Sequence, residues 1–520
     1  KVVALTGLDA FRCLQVVVVL GALLLFPALY FLAREIGFDF WTSVAGATVY
    51  CFLSNVWVYG GTGFSDVPAT ALVFIACALL LRGRRDVRAY VAGAAVLGMA
   101  AGIRPANLMI GAVPALMVTW VHLRARSYRA VAAAMFLGAA IVAGSYLGAA
   151  LASQSVDEYI KIVRIQSKYV HDVDSWRNPA RPSLYKAAKA FLLWPFWQED
   201  LLSAIAIGGA LSLIAAIVRR RMAPLLTFAM FMPLALTSWL NLDFDAAGRY
   251  AVGYMAVHAL LAADGFLLFG RKVQIALCAA IVVVLIGWSW PALRSPRNIA
   301  APPVAALQWV RENVPPSEPV FVHGRFGPQS NYILDDRQPR FFEEPEDIPA
   351  EMGQAWVVDW RIHEGGQSFT SPHKRLWRII RRRNFEASVT RAAGLIRFGD
   401  GWYDPEGTGA HLWRWTGKEA TVSLPAIHGS GIVSMRLYVP IHWMPAAPTI
   451  DVYWNGNAID RFTPTTKELD RSWTLPSCVD KANELRLITS ATIIPARRGK
   501  SSDTRELGLH LDRLSWMPVQ

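Results

Sequence analysis

The residues best placed to do chemistry are an acid and two arginines, each standing where an apolar run begins. Asp66 lies in Tyr59-Gly-Gly-Thr-Gly-Phe-Ser-Asp-Val-Pro68, a polar stretch between the apolar runs 41–58 and 67–81. Arg104 and Pro105 open another run. Asp243, Asp245 and Arg249 crowd Asn-Leu-Asp-Phe-Asp-Ala-Ala-Gly-Arg-Tyr250 ahead of a third. The loop 152–200 adds Lys161, Arg164, Lys168, Tyr169, His171 and the aromatic run Trp194-Pro-Phe-Trp197. An acid at the lip of a membrane is costly unless it is used. Arginine grips phosphate through paired hydrogen bonds, and a carboxylate can act as a base or hold a divalent cation. The set suits a phosphate-bearing lipid substrate.

Each residue also has a structural reading. Asp66, two residues before Pro68, suits a helix cap. Arg104 and Arg249 suit snorkelling to headgroups. Asp243 and Asp245 suit a solvated loop, and Trp194 and Trp197 an interfacial belt. Convergence on one membrane face favours the functional reading.

The elements that must position these groups are membrane helices. Hydrophobic residues make up 54% of the chain and charged residues 18%, with a mean hydropathy of +0.30. Apolar runs of membrane length recur to about Pro291 and then stop,. Ten spans are predicted, at 14–33, 41–58, 67–81, 90–101, 106–121, 130–151, 201–218, 223–240, 250–269 and 273–290. Every second connection is rich in arginine: Arg34; Arg82, Arg84, Arg85 and Arg88; Arg124, Arg126 and Arg129; Arg219, Arg220 and Arg221; Arg271 and Lys272. The positive-inside rule makes these cytoplasmic. Asp66, the loop 152–200 and everything after Pro291 then lie outside. The net charge of +13 reads as topology rather than as nucleic-acid binding. Cys478 is the one cysteine of five outside the apolar runs, so no disulfide framework or CxxC metal site is available there. The chain opens with Lys1 and has no signal-peptide pattern, and an even span count puts Lys1 outside. A first span and first outer loop are expected upstream.

Four segments together resemble the membrane glycosyltransferases of the GT-C fold, especially bacterial relatives of protein O-mannosyltransferases and of the lipid A aminoarabinose transferase. Phe11-Arg-Cys-Leu…Ala33-Arg-Glu-Ile-Gly37 resembles the second span and its cytoplasmic turn. Phe64-Ser-Asp-Val-Pro68 resembles the second outer loop with its acid. Gly98-Met-Ala-Ala-Gly-Ile-Arg-Pro105 resembles a "G-x-A-x-x-x-[KR]-P" span entry. Gly248-Arg-Tyr…Ala262-Ala-Asp-Gly265 resembles an "RY…P…LLAA.G" segment, with its proline replaced around Tyr254–Val257. The resemblance implies a polyprenyl-phosphate sugar donor and work on the outer face. It implies Asp66 as the second-loop, catalytic acid, and Arg249, Tyr250 and Arg104 as donor-phosphate contacts. Asp243, Asp245, Lys168 and His171 are secondary candidates. The family's principal acid belongs to the first outer loop; Asp9 stands too close to the second span to be that acid.

The region after Pro291 divides in two. A periplasmic α/β domain is expected over 292–418, with helical spacing at 304–313, strands at 319–323 and 355–361, and a basic helix at 373–383 whose Arg381, Arg382 and Arg383 read as a solvated face. An all-β domain is expected over 419–520, with strands at 421–424, 432–439, 449–454, 458–462, 484–490 and 507–516. Asn455-Gly456 is a hairpin turn signal. Short strands at this spacing suggest a β-sandwich, and 483–508 resembles jelly-roll modules of polysaccharide enzymes. Trp443, Trp454, Trp473 and Trp516 are divided between core packing and a sugar-stacking surface.

The sequence is thus read as a polytopic α-helical membrane domain, residues 1–291 and GT-C-like, followed by an α/β domain and a jelly-roll-like β-sandwich. The expected activity is transfer of a sugar from a polyprenyl-phosphate donor to a protein, lipid or polysaccharide acceptor at the bacterial inner membrane, with no nucleic-acid partner. A divalent cation on Asp66 is a candidate cofactor. The alternatives are a non-catalytic glycan-binding assembly subunit and a lipid or polysaccharide transporter; for the latter, neither mid-span charges nor related halves are seen.

Overall fold

The computed structural model describes residues 10–519 apart from 154, 180, 194–198, 295–299, 349–353, 364–365, 371–385, 393–394, 405, 409–410, 427–428, 445, 479–481 and 499–502. Asp9, the Trp194–Trp197 run and the basic helix expected at 373–383, with Arg381, Arg382 and Arg383, lie outside the described residues. The chain forms two compact units, which divide the described residues between Arg294 and Ala300.

The first unit is helical because its apolar runs can satisfy their backbone only within themselves. Helices cover each of the ten predicted stretches, several of them in pieces. Among the described residues five helices are long and apolar enough to cross a membrane: Arg12–Ile36, Pro105–Arg124, Tyr128–Ala152, Met222–Asn241 and Arg271–Arg294. The pair Ala247–Gly253 and Ala256–Phe269, bent by 63°, makes a sixth if counted as one broken span. The protein is thus a multi-pass membrane protein with five or six such helices. Other predicted spans are shorter or interrupted: Val87–Ile103 and Ser203–Val218 are apolar but short, and the helix Phe40–Phe52 stops at an extended Leu53 before Ser54–Tyr59 resumes.

The 63° bend falls at Tyr254 and Met255, where the sequence motif lacks its proline. A distant tyrosine bonds a carbonyl beside it: Tyr50 Oη donates to the Val252 carbonyl at 2.8 Å, while Tyr254, at the bend, donates its own Oη to the Phe191 carbonyl at 2.8 Å. A broken helix persists in a membrane when neighbours bond the carbonyls it frees. Small residues set other spacings. A Cβ on Gly21 would stand 2.6 Å from Pro68 Cα, and one on Gly265 would overlap the Gly208 carbonyl.

The arginine-rich connections gather at one end of this unit. Arg85 meets Glu35 at 2.7 Å and Arg271 meets Asp39 at 2.8 Å. Arg221 binds Asp264 through both Nη atoms, while Ser212 donates to the same carboxylate at 2.8 Å.

The second unit is rich in β-structure. Its first sheet has the order β2-β1-β3-β5-β4, with β1 Val320–His323, β2 Arg340–Phe342, β3 Trp356–Asp359, β4 Gln367–Thr370 and β5 Glu386–Arg391. β1 runs parallel to β2 and β3, while β5 is antiparallel to β3 and β4. The helix Pro302–Asn313 buries Ala306, Leu307 and Val310 on one face of this sheet, with Val322, Val358 and Val389. Proline in its first turn presets the helical φ.

Two further five-stranded sheets share one core. One has the order β13-β10-β15-β8-β7 and the other β12-β11-β14-β9-β6. The strands are β6 Arg397–Phe398, β7 Glu406–Thr408, β8 His411–Trp415, β9 Glu419–Leu424, β10 Ser430–Tyr438, β11 Ile450–Trp454, β12 Asn457–Phe462, β13 Glu468–Pro476, β14 Asn483–Thr489 and β15 His510–Pro518. Alternate residues point inward: Val433, Met435 and Leu437 from one sheet meet Val452, Leu485 and Leu487 from the other. Asn455 and Gly456 form the expected hairpin turn, both with positive φ. Trp454 and Trp516 are buried in this core, their rings 5.2 Å apart. Trp473 donates to Asp460 at 3.0 Å.

The sandwich begins earlier than the boundary expected at 419. β6 pairs with β9, and β8 with β15, so residues from Arg397 belong to it. β6 is a two-residue strand, too short to show a period-2 signal.

Candidate functional site

The site is built from three helix starts that the sequence separates widely. Ser65 takes the cap position of the helix Asp66–Arg82, so Asp66 is its first helical residue. The Asp66 carboxylate turns toward two arginines instead of capping. Oδ1 pairs with Arg104 Nη1. Oδ2 accepts from Arg249 Nε at 2.9 Å. Asp66 keeps 3% of its side-chain exposure, against 24% and 25% for the arginines. The carboxylate is thus withdrawn from solvent while both guanidinium groups remain reachable.

Local sequence explains each placement. Arg104 is the extended residue between the helix Val87–Ile103 and the short turn Pro105–Asn107, where the following proline disfavours helical geometry. Arg249 rides on the four-residue helix Ala247–Tyr250, whose Gly248 carbonyl accepts from Asn55 Nδ2 at 3.0 Å. Arg249 also lies over the Phe64 ring, 4.1 Å from its centroid, and both arginines approach the Tyr250 ring, at 5.7 and 5.9 Å. Aromatic faces hold guanidinium groups without consuming their N–H donors. Two cations and one anion leave a net positive charge.

A second acidic group lies within electrostatic reach. Tyr250 senses the charges of Asp243 and Asp174 as well as those of the two arginines. Burial, then the neighbouring Asp243 carboxylate, pushes the Asp174 carboxyl up to about 6, with Arg181 acting in the opposite direction. Arg181 locks this loop in place by donating to the Trp239, Leu240 and Leu242 carbonyls at 2.7, 3.0 and 3.0 Å. It thereby satisfies carbonyls at the C-terminus of the helix Met222–Asn241. Asp174 and Arg181 were not singled out in the sequence. The only signal for them was their position in a long polar loop.

The remaining candidates fall elsewhere. His171 bonds its neighbour Asp172 at 2.7 Å, and Lys168 is exposed on the helix Val156–Tyr169. Asp245 lies on the turn before Arg249, its side chain outside the described residues. Among the described residues no three His, Cys, Asp or Glu side chains come together as a metal-binding group. Asp66 pairs with arginines through both of its oxygens.

No protein-family model matches this sequence, and no curated protein matches it. Among solved structures the chain is similar to ArnT. ArnT from Cupriavidus metallidurans bound to undecaprenyl phosphate matches with a TM-score of 0.46 and 12% identity, over 75% of this chain and 85% of that one. The apo form of the same protein matches with a TM-score of 0.44 and 13% identity, over the same shares. At these scores the site rests on this chain's own geometry.

Proposed function

We propose that this protein is a membrane glycosyltransferase that moves a sugar from a polyprenyl-phosphate donor to an acceptor on the face where Asp66 lies, the outer face of a bacterial inner membrane. The carrying observation is the triad of Asp66, Arg104 and Arg249, two guanidinium groups held at a membrane surface by one shielded carboxylate. Arg249 engages Asp66 through Nε, which leaves its Nη donors for phosphate oxygens.

In the transfer, the acceptor hydroxyl attacks the anomeric carbon. The bond from that carbon to the phosphate oxygen breaks, and negative charge grows on the departing lipid phosphate. Donors fixed in advance around that charge lower the barrier. Asp66 is best suited to holding the arginines, because both of its oxygens face them. The hydroxyl proton needs another acceptor. Asp174, beside Asp243 and with a carboxyl near 6, is ionised at neutral pH yet basic enough for that work.

The test is binding of a radiolabelled polyprenyl phosphate to the purified protein in lipid nanodiscs. Saturable binding that weakens in Arg249→Lys and Arg104→Gln is the expected result. Absence of saturable binding by the wild type overturns the reading.

A further inference from the structure

The helix Val156–Tyr169 has no buried residue. Its apolar side chains Val156, Ile160, Ile162, Val163, Ile165 and Tyr169 are all exposed. At 100° per residue, Tyr159, Ile162, Val163 and Tyr169 fall on one side of it, while Lys161, Arg164 and Lys168, three and four residues apart, form a stripe on the other that also carries Asp157. A lone amphipathic helix of 14 residues does not persist in water on propensity alone.

Both flanks of this helix are tied to the ends of membrane helices. Its start follows Tyr128–Ala152 directly: Ser153 Oγ donates to the Ala150 carbonyl at 2.6 Å, and Ser155 caps the new helix by accepting from Glu158 N at 3.1 Å. Beyond its end, Trp176 N donates to the Leu240 carbonyl at 2.8 Å, at the close of Met222–Asn241. Two helices of membrane-spanning length therefore end at its two flanks.

We infer that Val156–Tyr169 lies in the plane of the membrane interface. Its apolar side enters the acyl layer, and its Lys161, Arg164 and Lys168 stripe binds the phosphates of anionic phospholipids. Leu147 and Leu151, near the end of Tyr128–Ala152, are exposed as well. Charge complementarity selects phosphate on the other side, at roughly fivefold in lipid preference per basic residue. Interfacial helices of this composition are held by both contributions together.

The experiment uses the full chain in nanodiscs of phosphatidylcholine and phosphatidylglycerol. A photo-crosslinking residue placed at Val163 should capture lipid acyl chains, and one at Arg164 should not. The variant K161Q/R164Q/K168Q should retain on the order of a hundredfold less phosphatidylglycerol relative to phosphatidylcholine, the product of three such losses. Crosslinks from position 163 to another part of the protein, or to no lipid, overturn the in-plane placement. An unchanged phosphatidylglycerol preference in the triple variant overturns the phosphate contact. Neither readout depends on donor binding.

Discussion

Arg249 Nε meets Asp66 Oδ2 at 2.9 Å across 183 positions of sequence. Arg104 takes the other oxygen of the same carboxylate. One small acid thereby fixes two guanidinium groups that no local segment could hold. Because the carboxylate is almost fully shielded and the arginines are not, the free donors face outward.

Arg249→Lys keeps the charge but loses the planar fork and the Nε contact. Its affinity for a polyprenyl phosphate should fall about tenfold to a hundredfold, the worth of one or two charge-assisted hydrogen bonds. Titration in nanodiscs measures this. Wild-type affinity in the lysine variant would move the phosphate away from Arg249.

Asp66→Asn removes the charge that pairs both arginines. Breaking a buried pair costs roughly 3 kcal/mol at the lower end, the end that applies here because each arginine keeps about a quarter of its exposure. Thermal unfolding in detergent should show the loss. The double variant D66N/R249Q should lose less than the two single changes added together. Simple additivity would show that the pair is not coupled.

Asp264 provides the control. It is 1% exposed and bound by Arg221 and Ser212 at the opposite, arginine-rich end. Asp264→Asn should destabilise the protein about as much as the change at Asp66, yet leave polyprenyl-phosphate affinity untouched. A parallel loss of affinity would mean that binding reports overall folding rather than the site.

Asp174 gives a pH signature. Burial and Asp243 raise its carboxyl from 3.8 to about 6. A raised acid binds its proton more tightly folded than unfolded. Its stabilising share is full below the unfolded value and is lost as pH rises through about 6. Asp174→Asn escapes that loss, so its melting temperature should exceed that of the wild type by a margin that opens between pH 4 and 7. Melts in pH steps decide it, and a constant margin would contradict the raised value.

The sandwich boundary can be tested with two fragments. One starting at Leu395 includes β6, β7 and β8 and should melt cooperatively. One starting at Ala420 lacks β6, β7, β8 and the Glu419 start of β9, leaves the edges of β9 and β15 unpaired, and should associate or unfold. Equal melts would restore the later boundary.

Much of this was legible in the sequence wherever signals were local or periodic. The ten apolar stretches, the Asn455-Gly456 turn and the long strands β10 and β14 all carry a pattern that a window can read. Asp66, Arg104 and Arg249 were legible as a set because each opens a helix on the same side of an arginine alternation. Their pairing was not, since sequence gives no register between distant helices. β6 was missed for want of length, and Asp174 because nothing nearby in sequence marks its approach to Asp243. The bend at Tyr254 shows a subtler gap. Nothing local in the sequence marks it, and the hydrogen bond that meets it comes from the distant Tyr50.

The separation of the triad in sequence also orders its appearance during synthesis. Asp66 enters the membrane first and Arg104 soon after, while Arg249 emerges roughly 10 to 40 seconds later at ordinary elongation rates. For that interval Asp66 and Arg104 form a balanced pair that crosses or skirts the lipid at reduced cost. The surplus positive charge arrives only with the last member. The nascent chain thus lacks the two-arginine site proposed to hold phosphate until most of its helical unit has been made.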